Sequence, residues 1–276
     1  MGIGGYKKGE RLLFMSFSSG SCGNCYYLGD GIDGILIDAG VSLRQLKLHL
    51  TANSLSFDSF SGILITHDHM DHIRNLGSYC KKLCKPVYTT KVLHPTLAHH
   101  PLAAPHISSC HRDLEEGKWN DVSGFRVKYF EVPHDATQTV GYCIDSPKYS
   151  HRFVIMTDIG RMNDEAINFA KEADTLVIES NYDTAMLMDG PYTFDLKMRI
   201  CHGKGHLSNA ECADAIRDIW HEGLRNIFLC HLSENNNTPE LAYNSAKSAL
   251  SDLGVDEGTV NLRTLPRMAP SPLIAL

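Results

Sequence analysis

A short segment rich in histidine and aspartate is the strongest chemical signal in this sequence. It follows an apolar run typical of a buried strand, and its polar residues are His67, Asp68, His69, Asp71 and His72. In an extended chain, residues two apart point the same way, so His67 and His69 can reach one metal ion while Asp68 points away. Asp71 and His72, at the start of a helix, can reach a second ion. The segment therefore predicts a dinuclear metal site.

Short strands, with helices between some of them, must position this segment. Eight apolar runs are predicted as strands, at residues 12–17, 34–40, 62–67, 86–90, 125–132, 152–158, 175–180 and 226–231. Helical spacing of apolar residues predicts helices at residues 42–50, 163–173, 207–220 and 239–250. In the third of these, Ser208 and Glu211 form a capping box. The pattern predicts one α/β domain over residues 1–276, in which residues 1–12 are a flexible extension.

Composition and charge restrict the class of function. The 276 residues carry a net charge of −6 with neutral histidine, which argues against a protein that holds nucleic acid by overall positive charge. The N-terminal residues include no apolar run long enough for a signal peptide or a membrane span, so we expect a cytoplasmic protein without a membrane partner. Nine scattered cysteines predict free thiols, and Cys22 and Cys25, with CxxC spacing, are interpreted as structural.

The HxHxDH pattern of residues 67–72 resembles the signature of the metallo-β-lactamase superfamily. That resemblance implies an αββα four-layer sandwich with the metals at one edge of two sheets. It also implies three further ligands at the ends of later strands, and His134, Asp158 and His231 occupy such positions in the expected order. Asp38, which also ends a strand, matches a position whose residue usually orients ligands.

The same resemblance implies how the ligands divide between two metal ions. The ligands of the first ion are His67, His69 and His134. The ligands of the second ion are Asp71, His72 and His231. Asp158 is expected to bridge the two ions, whereas Asp38 and Asp68 are expected to support the ligands without binding a metal.

Several stretches are similar to the YycJ/WalJ family of bacterial metallo-β-lactamase-fold proteins. They are SSGSCGNCYY, ESNYD, GPY, GHLSN and HLSENN, at residues 18–27, 179–183, 190–192, 205–209 and 231–236. The resemblance implies a nuclease that digests double-stranded DNA from a 5′ end and is linked to mismatch repair. Family members commonly have Ser, Glu and Ser where this chain has Cys22, Asp68 and Met70, and none of these changes removes a predicted ligand.

Residues around the predicted metals are assigned to catalysis and substrate binding. His206 precedes a capped helix whose amides favour an anion, and ribonucleases J and Z place a histidine in a comparable segment. His206 is therefore predicted as a phosphate ligand or general acid, with a structural hydrogen bond as the alternative, and Asp71 is the other predicted catalytic residue. Lys204, Asn24 and Asn181 are predicted substrate contacts, with an exposed basic helix face and turn stabilisation as the alternatives.

The ligand types suggest the metal and the reaction. Aspartate at position 158, where many lactamases have cysteine, gives an oxygen-rich site that suits Zn or Mn, with Fe as a further option. Two such ions about 4 Å apart can hold the oxygens of a phosphodiester, so the leading hypothesis is a phosphodiesterase that acts on DNA. The alternatives are a thioesterase of the glyoxalase II kind, an RNA-processing nuclease and a non-enzymatic binding protein, and the oligomeric state stays open.

Overall fold

Fourteen strands form two seven-stranded sheets in the computed structural model, which describes residues 7–276. From edge to edge, the first sheet contains β14 (Ile274–Ala275), β1 (Leu13–Gly20), β2 (Gly23–Gly29), β3 (Gly34–Ile37), β4 (Gly62–Leu64), β5 (Val87–Thr89) and β6 (His111–Asp113). The second sheet contains β13 (Asn261–Thr264), β12 (Asn226–Cys230), β11 (Thr175–Glu179), β10 (His151–Met156), β9 (Val140–Ser146), β8 (Phe125–Glu131) and β7 (Asn120–Val122).

Each sheet combines a parallel part with an antiparallel part. Strands β3 to β6 are parallel in the first sheet, and β10 to β13 are parallel in the second. The central parallel strands β3, β4, β11 and β12 are buried along their whole length, which confirms the prediction from their continuous apolar runs. Polar residues that follow such strands emerge together at one end of the sheet.

Ten α-helices complete the described part of the chain. They are α1 (Leu43–Ala52), α2 (Met70–Ile73), α3 (Leu76–Leu83), α4 (Leu93–His99), α5 (Ala104–Cys110), α6 (Asp164–Ala170), α7 (Thr184–Asp189), α8 (Phe194–Cys201), α9 (Asn209–Ile219) and α10 (Pro239–Asp252). The predicted capping box of Ser208 and Glu211 begins α9. The apolar spacing predicted α1, α6, α9 and α10 but not α3, α4, α5, α7 and α8, which have six to eight residues and show only about two turns of a helical repeat. Helix α6 is equally short, with seven residues, but the Asn163 cap marks its start.

Three apolar clusters hold the layers together. Helices α1, α3, α4 and α5 pack on the outer face of the first sheet, and α6, α9 and α10 pack on the outer face of the second. Between the sheets lie large buried side chains from both, among them Phe14, Tyr26, Tyr142, Phe153 and Phe228. This arrangement confirms the predicted αββα four-layer sandwich.

The first described residues contact the sandwich directly. The Gly9 amide donates to the Asp30 carbonyl at 2.8 Å, the Tyr149 hydroxyl donates to the Gly9 carbonyl, and Leu12 is buried. Residues 1–6 of the expected extension lie outside the described residues. Over residues 7–276, no helix combines the length and the apolar character that a membrane crossing requires. All nine cysteines are unpaired, which confirms the predicted free thiols.

Candidate metal centre

The seven predicted metal ligands lie together where one end of the first sheet meets the second. Four of them follow β4, at positions His67, His69, Asp71 and His72. The other three follow β8, β10 and β12, at positions His134, Asp158 and His231. Each sheet therefore contributes to one cluster of imidazoles and carboxylates.

Within this cluster, the potential ligand atoms form compact groups whose members all lie within 4.8 Å of one another. One group is His67, His69 and His134, and another is Asp71, His72 and His231. Asp158 joins His67 and His72 in a third group that overlaps both. The geometry thus brings together the two sets of three residues that the superfamily resemblance assigns to two metal ions, and Asp158 lies close to members of both sets.

His67 provides a test of whether a metal ion fits. Its imidazole is fully buried, and its Nδ1 atom lies 3.0 Å from the Thr66 hydroxyl. Its Nε2 atom has no hydrogen-bond partner among the described residues. Burial and the neighbouring His72 hold the pKa of His67 well below its usual value, so the ring is neutral, the form that binds metals. Because buried polar atoms rarely lack partners, a divalent cation fits these residues.

Asp158 is the central carboxylate of the cluster. It is 1% exposed, and its oxygens lie 3.1 Å from His72 Nε2 and 3.3 Å from His231 Nδ1. Burial alone raises the pKa of Asp158, but the charges of His231 and His72 lower it well below the usual range. Asp158 is therefore ionised and contacts members of more than one group, which is the arrangement that a bridging ligand requires.

Asp38 supports the centre from behind. Its carboxylate accepts a hydrogen bond of 2.7 Å from His72 Nδ1 and another of 2.8 Å from the Thr66 amide. The Nε2 atom of His72 is thereby left to face Asp71 and Asp158. Asp38 has a φ of 63°, a left-handed conformation that aspartate tolerates better than most residues. The fully buried carboxylate thus fixes which nitrogen of His72 is available to a metal.

Glu179 is a site residue to which the sequence assigned no role. It ends the buried strand β11 and is 0% exposed. One carboxylate oxygen accepts hydrogen bonds from His206 Nδ1 at 2.7 Å and from His231 Nδ1 at 2.9 Å. The other oxygen accepts from the backbone amides of Ile159 and Leu207. An acidic residue at the end of an apolar strand, beside Asp158 at the end of β10, is the signal that could have identified it.

His206 lies three residues before α9 begins, in the lining of a cavity that is open to solvent. Its side chain is 22% exposed, and the bond from Nδ1 to Glu179 leaves Nε2 as its second nitrogen. Burial lowers the pKa of His206, but the Glu179 carboxylate raises it, and the net effect is a raised pKa. The geometry therefore supplies a histidine that can carry a proton near neutral pH.

Three other predicted site residues, Asn24, Asn181 and Asp68, differ in what they contact. Asn24 is fully buried and its amide lies 3.0 Å from Asp71 and 2.9 Å from His72, which favours a positioning role over the expected substrate contact. Asn181 lines the cavity and donates to the His231 carbonyl at 2.7 Å. Asp68 accepts hydrogen bonds from the amide and the hydroxyl of Thr137 and points away from the ligands.

Lys204 does not line the cavity beside the centre. It is exposed and is not among the residues that line the cavity, whereas Arg199, five residues after the start of α8, does line it. The Arg199 guanidinium donates a hydrogen bond to the Asp135 carboxylate, which lies next to His134 in the chain. The basic residue at the cavity is therefore Arg199, and its charge is already paired.

An open cavity of about 270 Å³ exposes the centre to solvent. His69, Asp71, Asp158, His206 and His231 line it on one side. Divalent ions bound to these residues would lower the pKa of water and withdraw charge from a phosphodiester or ester. His206, beside them, is placed to hold or release a proton at the same cavity. The arrangement suits hydrolysis of a substrate whose leaving group needs a proton.

Comparison with known proteins agrees with this fold. A family model described as the beta-lactamase superfamily domain matches residues 34–231. The chain is 32% identical over 251 residues to exodeoxyribonuclease YycJ of Bacillus anthracis, covering 90% of this chain and 92% of the relative. It is also 32% identical over 240 residues to exodeoxyribonuclease WalJ of Streptococcus pneumoniae serotype 2 strain D39, covering 86% and 88% of the two chains.

Among solved structures, the metallo-β-lactamase fold protein YhfI from Bacillus subtilis is similar over 95% of this chain and 99% of its own, with a TM-score of 0.68. Its 16% identity shows likeness of fold only. The family model and the two relatives, in contrast, each match most of the chain. This chain belongs to the metallo-β-lactamase superfamily and, within it, to the family that contains YycJ and WalJ.

Proposed function

We propose that the centre binds two divalent metal ions. His67, His69 and His134 hold one ion, and Asp71, His72 and His231 hold the other. Asp158, which shares a group with His67 and His72, bridges them. The oxygen ligands favour Zn or Mn, with Fe as a further candidate. Elemental analysis after reconstitution with excess Mn or Zn should give two equivalents per chain, and recovery of one equivalent at most would contradict a dinuclear centre.

The function proposed for this centre is hydrolysis of phosphodiester bonds in DNA. The observation that carries this proposal is the hydrogen bond between His206 and the buried Glu179 at the cavity that contains the ligands. Cleavage of a phosphodiester expels an alkoxide, which is a poor leaving group unless it gains a proton. His206, with a raised pKa, can donate that proton. The names of YycJ and WalJ as exodeoxyribonucleases support DNA as the substrate.

In this proposal, one group of residues holds the metal ligands in place and another transfers a proton to the leaving group. Asp38 holds His72 through Nδ1, the nitrogen away from the other ligands, whereas the Asn24 amide contacts His72 Nε2 and Asp71 Oδ2, so both residues keep these ligands in place when substrate arrives. Glu179 fixes the His206 ring by binding Nδ1, which leaves Nε2 for the leaving oxygen. When His206 is protonated, the Glu179 carboxylate compensates its charge. This assignment keeps the metal ligands separate from the proton donor.

The finer parts of the proposal concern the direction of DNA digestion, the cellular process and the location of the protein. Digestion from a 5′ end of double-stranded DNA and a place in DNA repair are the expectations that the YycJ/WalJ resemblance adds. Nine unpaired cysteines support a cytoplasmic location, because disulfides rarely form in a reducing compartment. RNase J-like enzymes carry a large inserted domain for RNA, whereas the described residues between Asp158 and His206 contain no inserted domain. DNA is therefore proposed ahead of RNA.

The deciding experiment incubates purified protein and Mn or Zn with end-labelled double-stranded DNA, single-stranded DNA and RNA. We expect mononucleotides to appear from double-stranded DNA, with loss of the 5′ label before the 3′ label. Asp158→Ala, purified identically, controls for contaminating nucleases and should be inactive. Absence of cleavage by the metal-loaded protein on every nucleic acid would contradict the proposal.

A glyoxalase II-like thioesterase is the alternative within the same superfamily. The same preparation, assayed with a glutathione thioester, separates the two functions. Rapid thioester hydrolysis with no DNA cleavage would favour the thioesterase, and the His206→Ala variant would then keep that activity. Cleavage of RNA but not of DNA would instead favour the RNA-processing nuclease.

A further inference from the structure

The turn that joins α7 to α8 has no role in the proposed hydrolysis, although it carries the GPY stretch, Gly190, Pro191 and Tyr192. A Cβ atom on Gly190 would lie 2.7 Å from the Met186 carbonyl oxygen and 3.0 Å from Asn236 Oδ1. The first of these contacts is too close for any residue but glycine unless the backbone moves. The turn is therefore packed closely against the segment that follows β12.

Tyr192 makes a second contact with that segment. Its hydroxyl accepts a hydrogen bond of 3.0 Å from the Asn235 side-chain amide. Asn235 lies four residues after His231, one of the proposed metal ligands. The tyrosine ring is half-buried and lines the same cavity as His231. Its position is thus tied to the metal centre before any substrate binds, so little conformational entropy is lost when the ring contacts a ligand.

The wall that contains Tyr192 differs from the wall that contains the metal ligands. Besides Tyr192, it includes Leu196 and Ile200 of α8. Its one basic residue, Arg199, is paired with Asp135. A wall of this kind offers an aromatic face and apolar side chains but no free positive charge for a phosphate. It suits the uncharged, flat part of a nucleotide.

We propose that Tyr192 stacks against the nucleobase adjacent to the phosphodiester that is cleaved. This inference rests on the proposed nuclease function and adds a binding position for the base. A phosphate held at the ligands places the neighbouring base within reach of the cavity wall, and every base has a face that can stack on an aromatic ring. Tyr192 therefore increases affinity for DNA with little preference for sequence.

Replacing the ring tests this role directly. Tyr192→Leu keeps an apolar side chain but removes the aromatic face, and kcat/KM on double-stranded DNA should fall by about 10-fold to 100-fold. Tyr192→Phe keeps the ring and loses the bond to Asn235, so a much smaller decrease is expected. Phe194→Leu is the matched control, because Phe194 is 72% exposed and does not line the cavity. Metal content and melting temperature should be unchanged in all three variants.

Substrates that lack one base complete the test. Double-stranded DNA with an abasic residue at either nucleotide flanking the cleaved bond should slow the unmodified protein as much as Tyr192→Leu does. The Tyr192→Leu variant should not distinguish the abasic substrate from the normal one, because the stacking partner is already gone. Equal sensitivity to the abasic residue in both proteins, or full activity of Tyr192→Leu, would overturn the inference. Failure of the proposed nuclease function would be recognised separately, because the unmodified protein would then cleave no DNA at all.

Discussion

His72 and His206 each donate a hydrogen bond of 2.7 Å from Nδ1 to a buried carboxylate, that of Asp38 for His72 and that of Glu179 for His206. Their surroundings differ. His72 is 0% exposed and lies among the other ligands, on the inner side of the centre, whereas the His206 side chain is 22% exposed and lies on the open side, at the cavity. The same pairing of carboxylate and histidine thus serves two purposes.

In both histidines the carboxylate binds Nδ1 and leaves Nε2 available. The position of the histidine in the centre then determines which group Nε2 can contact. On the inner side, Nε2 of His72 faces Asp71 and Asp158, so its proposed partner is a metal ion. On the open side, His206 borders the cavity and can meet substrate. Variants of the inner side should therefore affect metal binding, and variants of the open side should affect catalysis with the metals retained.

The largest effect is expected from Asp158→Ala on the inner side. Removal of the proposed bridge leaves His67 and His72 without their shared carboxylate, and the stabilisation of charge by the metals, worth several kcal/mol, is lost. DNA cleavage should fall by about 1,000-fold or more, and elemental analysis should find fewer than two metal ions per chain. A variant that keeps both ions and cleaves DNA normally would show that Asp158 is not a bridge.

His206→Ala should have the next largest effect, on the open side. Loss of the proton donor should slow cleavage by about 100-fold or more, the scale of general acid catalysis. Metal content and melting temperature should stay unchanged, because His206 is not one of the seven proposed ligands, although its ring also lies within 4.8 Å of potential ligand atoms of Asp158, Glu179 and His231. Full nuclease activity with both metals in place would assign the hydrogen bond to Glu179 a structural role instead.

Asp38→Asn tests a residue that positions the proposed ligand His72 and does not itself bind a metal. The variant exchanges the acceptor of the His72 Nδ1 bond for an amide, and metal affinity should fall by about 10-fold to 100-fold. Titration with Mn or Zn, followed by cleavage assays, should show activity restored at high metal concentration. A defect that excess metal does not correct would place Asp38 outside this supporting role.

Glu179→Gln should alter the pH dependence of cleavage. The Glu179 carboxylate raises the pKa of His206, so the proton donor stays protonated to higher pH in the unmodified protein. The neutral amide removes this effect, the pKa of His206 falls, and the loss of activity on the alkaline side should move to lower pH. The measurement is kcat against pH at saturating metal, with metal content as the control because Glu179 also contacts His231. An unmoved alkaline side would separate Glu179 from proton transfer.

The smallest effect is expected from Asp68→Asn. Although Asp68 lies between two proposed ligands in the chain, its carboxylate binds Thr137 and points away from the centre. Metal content should stay at the level of the unmodified protein, and the main change should be a modest decrease in melting temperature. If Asp68→Asn lost its metals as completely as His69→Ala, the alternation argument for this segment would be wrong.

The sequence predicted the ligands of the first sheet best, because four of them lie within six residues and chain geometry alone brings them together. His134, Asp158 and His231 were expected from the order of strand ends that the superfamily resemblance implies. Eight of the strands and the helices α1, α6, α9 and α10 were also predicted, because each has a clear apolar pattern or a cap, and the four-layer architecture followed from the superfamily resemblance.

What could not be predicted depends on contacts between distant parts of the chain. Glu179 is 27 residues from His206, and nothing local in the sequence reports their hydrogen bond. Asn24 was expected to meet substrate, yet it lies in β2, a strand that the Ser/Gly-rich sequence did not predict, and its burial follows from that strand. Lys204 and Arg199 differ in their access to the cavity only because of how α8 is placed.

The ligand sets also have a mechanical consequence, because each proposed ion takes residues from both sheets. His67 and His69 follow β4 of the first sheet and His134 follows β8 of the second, and the other set is divided in the same way. A bound ion is therefore a cross-link between the two halves of the chain. Its contribution to stability grows with free metal concentration, by about 4 kcal/mol at 1,000 times the dissociation constant. Metal supply would thus govern how long the folded molecule survives as well as whether it is active.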